Sequence, residues 1–305
     1  MRIAVVIVTY NSAEVLRDCL DSLSEAAGGV ELAAVVVADN ASADEGLAIA
    51  GRAEAITIDL GRNAGYAAGI NAGLDALDLG TLDAVYVLNP DCRLRPGSIA
   101  PLAEALRTPG RGIAVPRMVN PDGSLQPSLR RMPTLGRAIA EALLGGTVAG
   151  RLWRIGETVT DPRAYERPAA YAWATGAAML ISVPALRAVG RWDESFFLYS
   201  EETEYCLRAA DLGWTTWYEP SAVIEHIGGD GDRDPALAAL LAVNKVELFR
   251  RRRGRAAGAA YRVVQLLGQG VRALSGRTVA RACFAALLRS GSYRRGRSIQ
   301  PRRSR

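Results

Sequence analysis

Cysteine and lysine are scarce in this chain, and each scarcity closes off a class of chemistry. The four cysteines, Cys19, Cys92, Cys206 and Cys283, stand far apart with no CxxC pair. Neither a zinc knuckle nor a disulfide framework is indicated, and a reducing cytoplasm suits them. The one lysine, Lys245, is far from the first strand, where the phosphate loop of a nucleotidyltransferase would need glycines and a lysine. Aromatic residues are only 6% of the chain, as in a soluble protein rich in Ala, Val and Leu. The apolar run that opens the chain, Ile3 to Val8, is too short for a signal peptide and far too short to cross a bilayer.

What is present is unevenly charged. The net charge of +5 hides a segment from Lys245 to Arg305 with 17 Lys and Arg against the single acid Glu247. That segment carries +16 and the preceding body carries −11. A general nucleic-acid binder places its basic footprint on the folded domain, so nucleic acid is not an expected partner. A basic amphipathic helix can instead lie on an anionic membrane, and a solubilising tail is the other reading.

The apolar spacing lays out an α/β chain. Ile3 to Val8 and Leu32 to Ala38 are β-rich runs of the kind covered on both faces. Between them Val15, Leu16, Cys19, Leu20 and Leu23 recur at helical spacing, with Ser12 placed to cap them. Such a unit predicts parallel strands joined by a right-handed crossover. Ala55 to Leu60 predicts a third strand. Gly65, Gly69 and Gly73 then line one helix face, allowing close approach to the sheet or to a ligand. This is not the GxGxxG fingerprint, and Arg62, Asn63 and Asn71 exclude a membrane GxxxG helix.

Ala84 to Leu88 predicts a central strand, stopped by Pro90. Pro96 to Arg107 predicts a helix opened by proline, Ile113 to Pro116 a short strand, and Asn120 to Gly123 a turn. Met132 to Arg167 offers no clear element and reads as a mobile excursion. Ala174 to Ile181 predicts a strand, Pro184 to Val189 a helix, and Ser200 the cap of a helix to Leu212. Trp214 to Tyr218 and Val223 to His226 predict two strands around Pro220, and helices follow from Leu237. The expected boundaries are a domain at 1–235, a helical basic extension at 236–289, and a disordered basic tail at 290–305.

Two acidic features bear on chemistry. Asn89 and Asp91 follow the central strand at its carboxyl end, where open α/β sheets bind ligands. A hard divalent cation shared with substrate phosphates suits such a carboxylate, and a turn with a solvated Asp is the plain alternative. Glu201, Glu202 and Glu204 gather at a helix start, where the macrodipole favours negative charge.

The segments Val8-Thr-Tyr-Asn11, Ala38-Asp-Asn40, Arg62-Asn-Ala-Gly65 with Asn71 and Gly73, Asn89-Pro-Asp91 and Thr175-Gly-Ala-Ala-Met179 appear in a recognisable order. Trp192-Asp-Glu194, Phe197 to Glu204, Cys206-Leu-Arg208 and His226 continue it. Over residues 3 to about 230 the chain resembles a family-two glycosyltransferase of the GT-A fold.

The resemblance implies a mostly parallel central sheet flanked by helices, with a Rossmann-like nucleotide-binding half and a C-terminal helical basic extension. It implies a nucleotide-diphosphate sugar donor, inversion at the anomeric carbon, and Mg²⁺ or Mn²⁺. Thr9, Tyr10, Asn11, Asp39, Arg62, Asn63, Gly65, Tyr66, Asn71 and Asn89 fall on the donor side. Asp91 and His226 are the metal-side residues, and Glu202 is the general base by position. Thr175, Gly176, Trp192, Asp193 and Glu201 fall on the acceptor side.

The family often has two aspartates where this chain has Asn89-Pro90-Asp91, and Glu-Asp where it has Glu201-Glu202. The first variant resembles rhamnosyltransferases with a deoxythymidine diphosphate donor. L-rhamnosyl transfer to a polyprenyl-linked or cell-wall glycan is therefore expected, at the cytoplasmic face of a membrane. Galactofuranose or a hexose from a uridine diphosphate donor is the alternative. A nucleotidyltransferase and a non-catalytic sugar- or lipid-binding module are the rival classes.

Overall fold

The computed structural model describes residues 1–151, 155–228 and 234–289, so the expected tail at 290–305 lies outside them. In chain order the first half contains β1 (Arg2–Thr9), α1 (Ala13–Ala26), β2 (Glu31–Asp39), α2 (Gly46–Arg52), β3 (Ile56–Asp59), α3 (Tyr66–Asp75), β4 (Ala84–Leu88) and β5 (Cys92–Leu94). Then come α4 (Ile99–Leu106), β6 (Arg111–Val119), β7 (Leu129–Arg130), α5 (Leu135–Leu144), α6 (Gly146–Arg151), β8 (Ala169–Tyr171) and β9 (Trp173–Ala174). The rest is β10 (Ala178–Ser182), α7 (Val183–Val189), α8 (Glu201–Asp211), β11 (Thr215–His226), α9 (Pro235–Arg253), α10 (Arg255–Leu274) and α11 (Thr278–Arg289).

Two compact units result. Among the described residues the first is 1–130, 161–197 and 201–228; the second is 131–151, 155–160, 198–200 and 234–289.

The first unit is built on a sheet of order β3-β2-β1-β4-β10-β6-β11-β5, with β8 added against β11. The strands β3, β2, β1 and β4 are parallel, as the β-loop-α-β pattern requires. Beyond them β10 runs antiparallel to both β4 and β6, while β11 is parallel to β6. On β1 and β4, Ile3, Val5, Ile7, Tyr86 and Leu88 pack with Leu16, Cys19, Leu20 and Leu23 of α1. Each such large apolar side chain, once buried, contributes about 1.5–3 kcal/mol.

The glycine row on α3 does what its spacing implies. A Cβ on Gly69 would lie 2.4 Å from Cγ1 of Val8, and one on Gly73 2.4 Å from Cγ1 of Val6. Only hydrogen fits there, so α3 seats directly on β1.

The structure departs from the sequence reading at several elements. Ser12 precedes α1, but its hydroxyl donates back to the Tyr10 carbonyl at 3.2 Å and makes no cap bond. Pro96 lies in the turn closed by Ser98 N and Arg95 O, so α4 starts later, at Ile99. The two short strands expected around Pro220 are one strand, β11, whose register with β6 shifts between Glu219 and Val223. Proline sits in that bulge because it has no N–H for the ladder. Residues 132–167 hold α5 and α6 where no element was expected. Thr134 caps α5 by accepting from Arg137 N, and Gly145 at φ +81 ends it.

In the second unit, Asp234 caps α9 by accepting from Ala236 N at 2.7 Å and Leu237 N at 3.2 Å. Ala138, Phe249 and Tyr261 form one apolar cluster, the two rings stacked at 4.4 Å. Ala242, Cys283 and Leu287 form another. The chain's one lysine, Lys245, pairs at 3.8 Å with Glu157, which is buried.

A contrast between two glycines checks this packing. Gly73→Val should lower the unfolding free energy by about 1–3 kcal/mol through overpacking against β1. Gly51→Ala, with nothing within 4 Å of the new methyl, should raise it by about 0.5–1 kcal/mol. Urea titration of both variants gives the comparison.

Candidate active site

Strand register brings the first part of the site together. Pairing of β5 with β11 sets Cys92 opposite His226, and Asp91 precedes Cys92. Nε2 of His226 then lies 3.3 Å from Oδ1 of Asp91 and 3.5 Å from Nδ2 of Asn89. On the other side of the ring, Nδ1 is 2.7 Å from Oε1 of Gln126. An amide oxygen can only accept, so in the neutral ring Nδ1 carries the proton and Nε2 presents a lone pair. Oδ1 of Asp91 is enclosed and has no hydrogen-bond donor. A cation placed between these two atoms would satisfy both.

The thiol of Cys92 also comes within 4.8 Å of these ligand atoms. Burial pushes it well above the ordinary thiol range, with the charge of Asp91 adding to the effect. It stays protonated and donates to the Ala177 carbonyl at 3.3 Å. One hard oxygen and one imidazole nitrogen remain, a donor set that fits Mg²⁺ or Mn²⁺ completed by substrate phosphates.

The second part is the start of α8. Tyr199 and Ser200 both have left-handed φ, 68° and 76°, before the helix begins at Glu201. The expected capping geometry for Ser200 is therefore replaced by a strained turn, at a cost of order 1 kcal/mol or more per residue. The side-chain amide of Asn244 on α9 donates to the carbonyls of Leu198 at 3.0 Å and Tyr199 at 3.1 Å, pinning that turn. Glu201 is buried, whereas Glu202 is partly exposed. Glu204 is held by Arg208 at 2.8 Å.

The two parts meet at Gly176 and Ala177. The Ala177 carbonyl accepts from Asn89 N at 2.8 Å and from Cys92. One residue earlier, a Cβ on Gly176 would lie 3.1 Å from Cβ of Glu202. The Gly176 carbonyl accepts from the Tyr66 hydroxyl at 2.9 Å. Burial first, with the carboxylates of Glu201, Glu202 and Asp91 adding to it, raises the Tyr66 phenol well above its ordinary range. Tyr66 is thus a neutral donor set between the two acidic groups.

The expected donor-side loops adjoin one another. Asp39 is fully buried, with Oδ1 accepting from Thr9 Oγ1 at 2.7 Å and Oδ2 from Ser42 N at 2.7 Å. Asn11, at φ 49°, accepts from Ala43 N at 2.9 Å, while Tyr10 stands beside it, partly exposed. Arg62 is exposed, and Asn63 accepts from Gly65 N at 3.2 Å. Gly65 has φ +95°, and a Cβ there would lie 2.2 Å from the Phe197 carbonyl oxygen. No other residue fits.

Two of the expected contact residues are buried in the packing around the site. Asn71, placed on the donor side by resemblance, is buried and its amide is committed: Nδ2 donates to Trp192 O and Glu194, and Oδ1 accepts from Trp192 N. It clamps α3 to the turn before α8. Trp192, placed on the acceptor side, is buried and stacked on Tyr205 at 4.3 Å, so it supports the site from beneath. Thr175 accepts no such burial; its backbone N–H bonds to Ser128 O at 3.0 Å. Asp193 is partly exposed and accepts from Ser195 N at 2.9 Å.

With this geometry in hand, residues 4–179, more than half of the chain, match the model of glycosyl transferase family 2. The chain belongs to that family. It is a glycosyltransferase. It is 34% identical over 244 residues to an N-acetylglucosaminyl-diphospho-decaprenol L-rhamnosyltransferase of Mycobacterium tuberculosis, covering 76% of this chain and 78% of that protein. It is 31% identical over 209 residues to a low-salt glycan biosynthesis hexosyltransferase of Haloferax volcanii, covering 68% of this chain and 61% of that one.

The GT-A fold is shared with solved glycosyltransferases. A mannosyltransferase from Pyrobaculum calidifontis, solved with GDP-mannose and Mn²⁺, aligns with a TM-score of 0.56 at 18% identity, over 94% of this chain and 75% of that one. Glucosyl-3-phosphoglycerate synthase from Mycobacterium tuberculosis, solved with Mn²⁺ and UDP, aligns with a TM-score of 0.54 at 15% identity, over 81% and 79%.

Three polar residues near the site carry no sequence motif of their own. Gln126 touches His226; Asn40 accepts from Ala64 N at 2.9 Å, tying β2 to the loop before α3; Asn244 pins the turn before α8. Loss of that pin is testable. Asn244→Ala should destabilise the protein by about 1–3 kcal/mol by removing two hydrogen bonds to partly buried carbonyls. It should also lower kcat by about 10 to 100-fold through misplacement of the turn, with the donor KM unchanged. Steady-state kinetics and a urea titration measure the two effects.

Proposed function

We propose that this family-2 glycosyltransferase moves L-rhamnose from a deoxythymidine diphosphate donor to a polyprenyl-diphosphate-linked glycan, with inversion. What supports the mechanism is that Cys92, next to Asp91, bonds the Ala177 carbonyl while Glu202 packs against Gly176, one residue away. Asp91 and His226 would hold Mg²⁺ or Mn²⁺, which supplies charge to offset the departing diphosphate. Glu202 takes the proton from the acceptor hydroxyl as it attacks. Thr9, Tyr10, Asn11, Asp39, Arg62, Asn63, Gly65, Tyr66 and Asn89 form the donor side, and Thr175, Gly176, Asp193 and Glu201 the acceptor side. The name of the mycobacterial relative supports the choice of sugar and acceptor. That of the haloarchaeal relative favours hexosyl transfer as the second reading.

The catalytic work is assigned to residues 1–235 and membrane docking to the extension at 236–289, aided by α5 and α6. No helix among the described residues is long and apolar enough to cross a membrane. A different feature supports binding at a membrane surface. Val263, Leu267, Val271 and Leu274 form an exposed apolar stripe on α10, and Ile139, Leu143, Leu144 and Val148 are exposed on α5 and α6. The helices α5 and α10 pack together, with Ala142 against Gly268 and Arg272 bonded to the Glu141 carbonyl. Residues 255–289 contain six arginines and no acid. An apolar face in a cationic setting suits an anionic lipid surface, each arginine there adding about 1 kcal/mol.

Nucleotide release measured across dTDP-rhamnose and UDP-sugar donors, with Mg²⁺ or Mn²⁺, should favour dTDP-rhamnose; preference for a UDP-hexose selects the second reading. Glu202→Gln should abolish transfer while leaving donor affinity intact, and retained turnover removes Glu202 from the base role. Having one carboxylate where relatives often have two, the protein should bind Mn²⁺ weakly by calorimetry without nucleotide and more tightly with dTDP. Leu267→Glu combined with Leu274→Glu should abolish flotation with anionic vesicles while preserving transfer to a soluble acceptor. Equal flotation of variant and parent removes the docking role.

A further inference from the structure

The turn from Asn120 to Gln126 has no part in the transfer described above, yet its hydrogen bonds lead in one direction to His226. The chain of donors begins at a group that can only accept. Oδ1 of Asp122 takes the Ser124 hydroxyl proton at 2.6 Å and the Ser124 backbone N–H at 2.9 Å. Its only proton given away, the Ser124 oxygen accepts from Nδ2 of Asn120 at 2.8 Å. That turns Oδ1 of Asn120 towards Gln126, where it accepts from Nε2 at 3.1 Å. The same Gln126 nitrogen also donates to the His226 backbone carbonyl at 3.3 Å. With its amide nitrogen so engaged, Gln126 presents Oε1 to the imidazole at 2.7 Å. The proton is thereby held on Nδ1, and the lone pair of Nε2 faces Oδ1 of Asp91. Reversing the ring's tautomer would require reversing every bond back to a carboxylate that has no proton to offer.

We propose that Asp122, Ser124, Asn120 and Gln126 form a tautomer lock on His226, with Gln126 the positioning residue that keeps Nε2 open to the divalent cation. The role rests on the reading of Asp91 and His226 as the metal pair. It explains why the turn, held to β6 by the bridge from Val119 to Leu125, stands at this site. A ligating imidazole is oriented by what its other nitrogen bonds, and loss of such a partner typically costs about 10 to 100-fold in metal affinity.

Having a single histidine in the chain makes the test direct. Imidazole nitrogen NMR of the full-length, metal-free protein should show one tautomer, protonated at Nδ1, and Gln126→Leu should shift the signal towards the Nε2-protonated form. Mn²⁺ affinity in the presence of dTDP, read by calorimetry, should fall about 10 to 100-fold in Gln126→Leu. Gln126→Glu, which restores an acceptor, should recover both readouts; thermal melting shows whether each variant is folded. A parent protein protonated at Nε2, or a Gln126→Leu variant with unchanged tautomer and Mn²⁺ affinity, overturns the lock. His226→Ala separates the two ideas, because unchanged Mn²⁺ affinity in that variant overturns the metal reading, whereas the metal-free spectrum reports on the lock alone.

Discussion

Register between β5 and β11 is the constraint on which the site depends. Cys92 pairs with His226, and the carboxylate one residue earlier is thereby carried to the imidazole. A slip of one residue would send alternate side chains to opposite faces and separate the pair. Register is fixed from both sides, since Leu94 and Ile224 are paired in the same ladder and both buried. The packing of an apolar pair therefore sets the geometry of a polar one.

A second constraint is how little space there is around the small residues. Gly69 and Gly73 let α3 seat on β1, and Gly65 lets the loop before α3 approach the Phe197 carbonyl. The backbone N–H of Tyr66 then reaches that carbonyl at 3.0 Å, and its hydroxyl reaches Gly176. Tyr66 is in this way fixed at both ends. Small residues on one element determine where a large polar side chain stands on the next.

Much of this was legible in the sequence where a single local rule decides the outcome. The runs at β1 and β4 are apolar throughout because both faces are covered, and the glycine spacing on α3 has one physical use. Pro220 misled because it breaks a strand in general but is accommodated in a bulge. The helices at 135–151 were hidden because their outward faces are apolar, which blurs the helical period. Asn71 and Trp192 fall within motifs, yet the motif does not say whether a residue touches substrate or holds up one that does. Gln126 and Asn244 had no signal at all, since one amide at the right distance leaves no pattern in the chain.

The left-handed pair Tyr199 and Ser200 has a consequence for how this enzyme could be altered. Glycine at either position would relieve the strained backbone and, by that measure, improve the fold. It would also restore freedom to the segment leading into Glu202, which under the proposed mechanism must then be re-ordered at each turnover. Robustness and rate are opposed at this one corner, and a screen for thermal tolerance alone would select the slower enzyme.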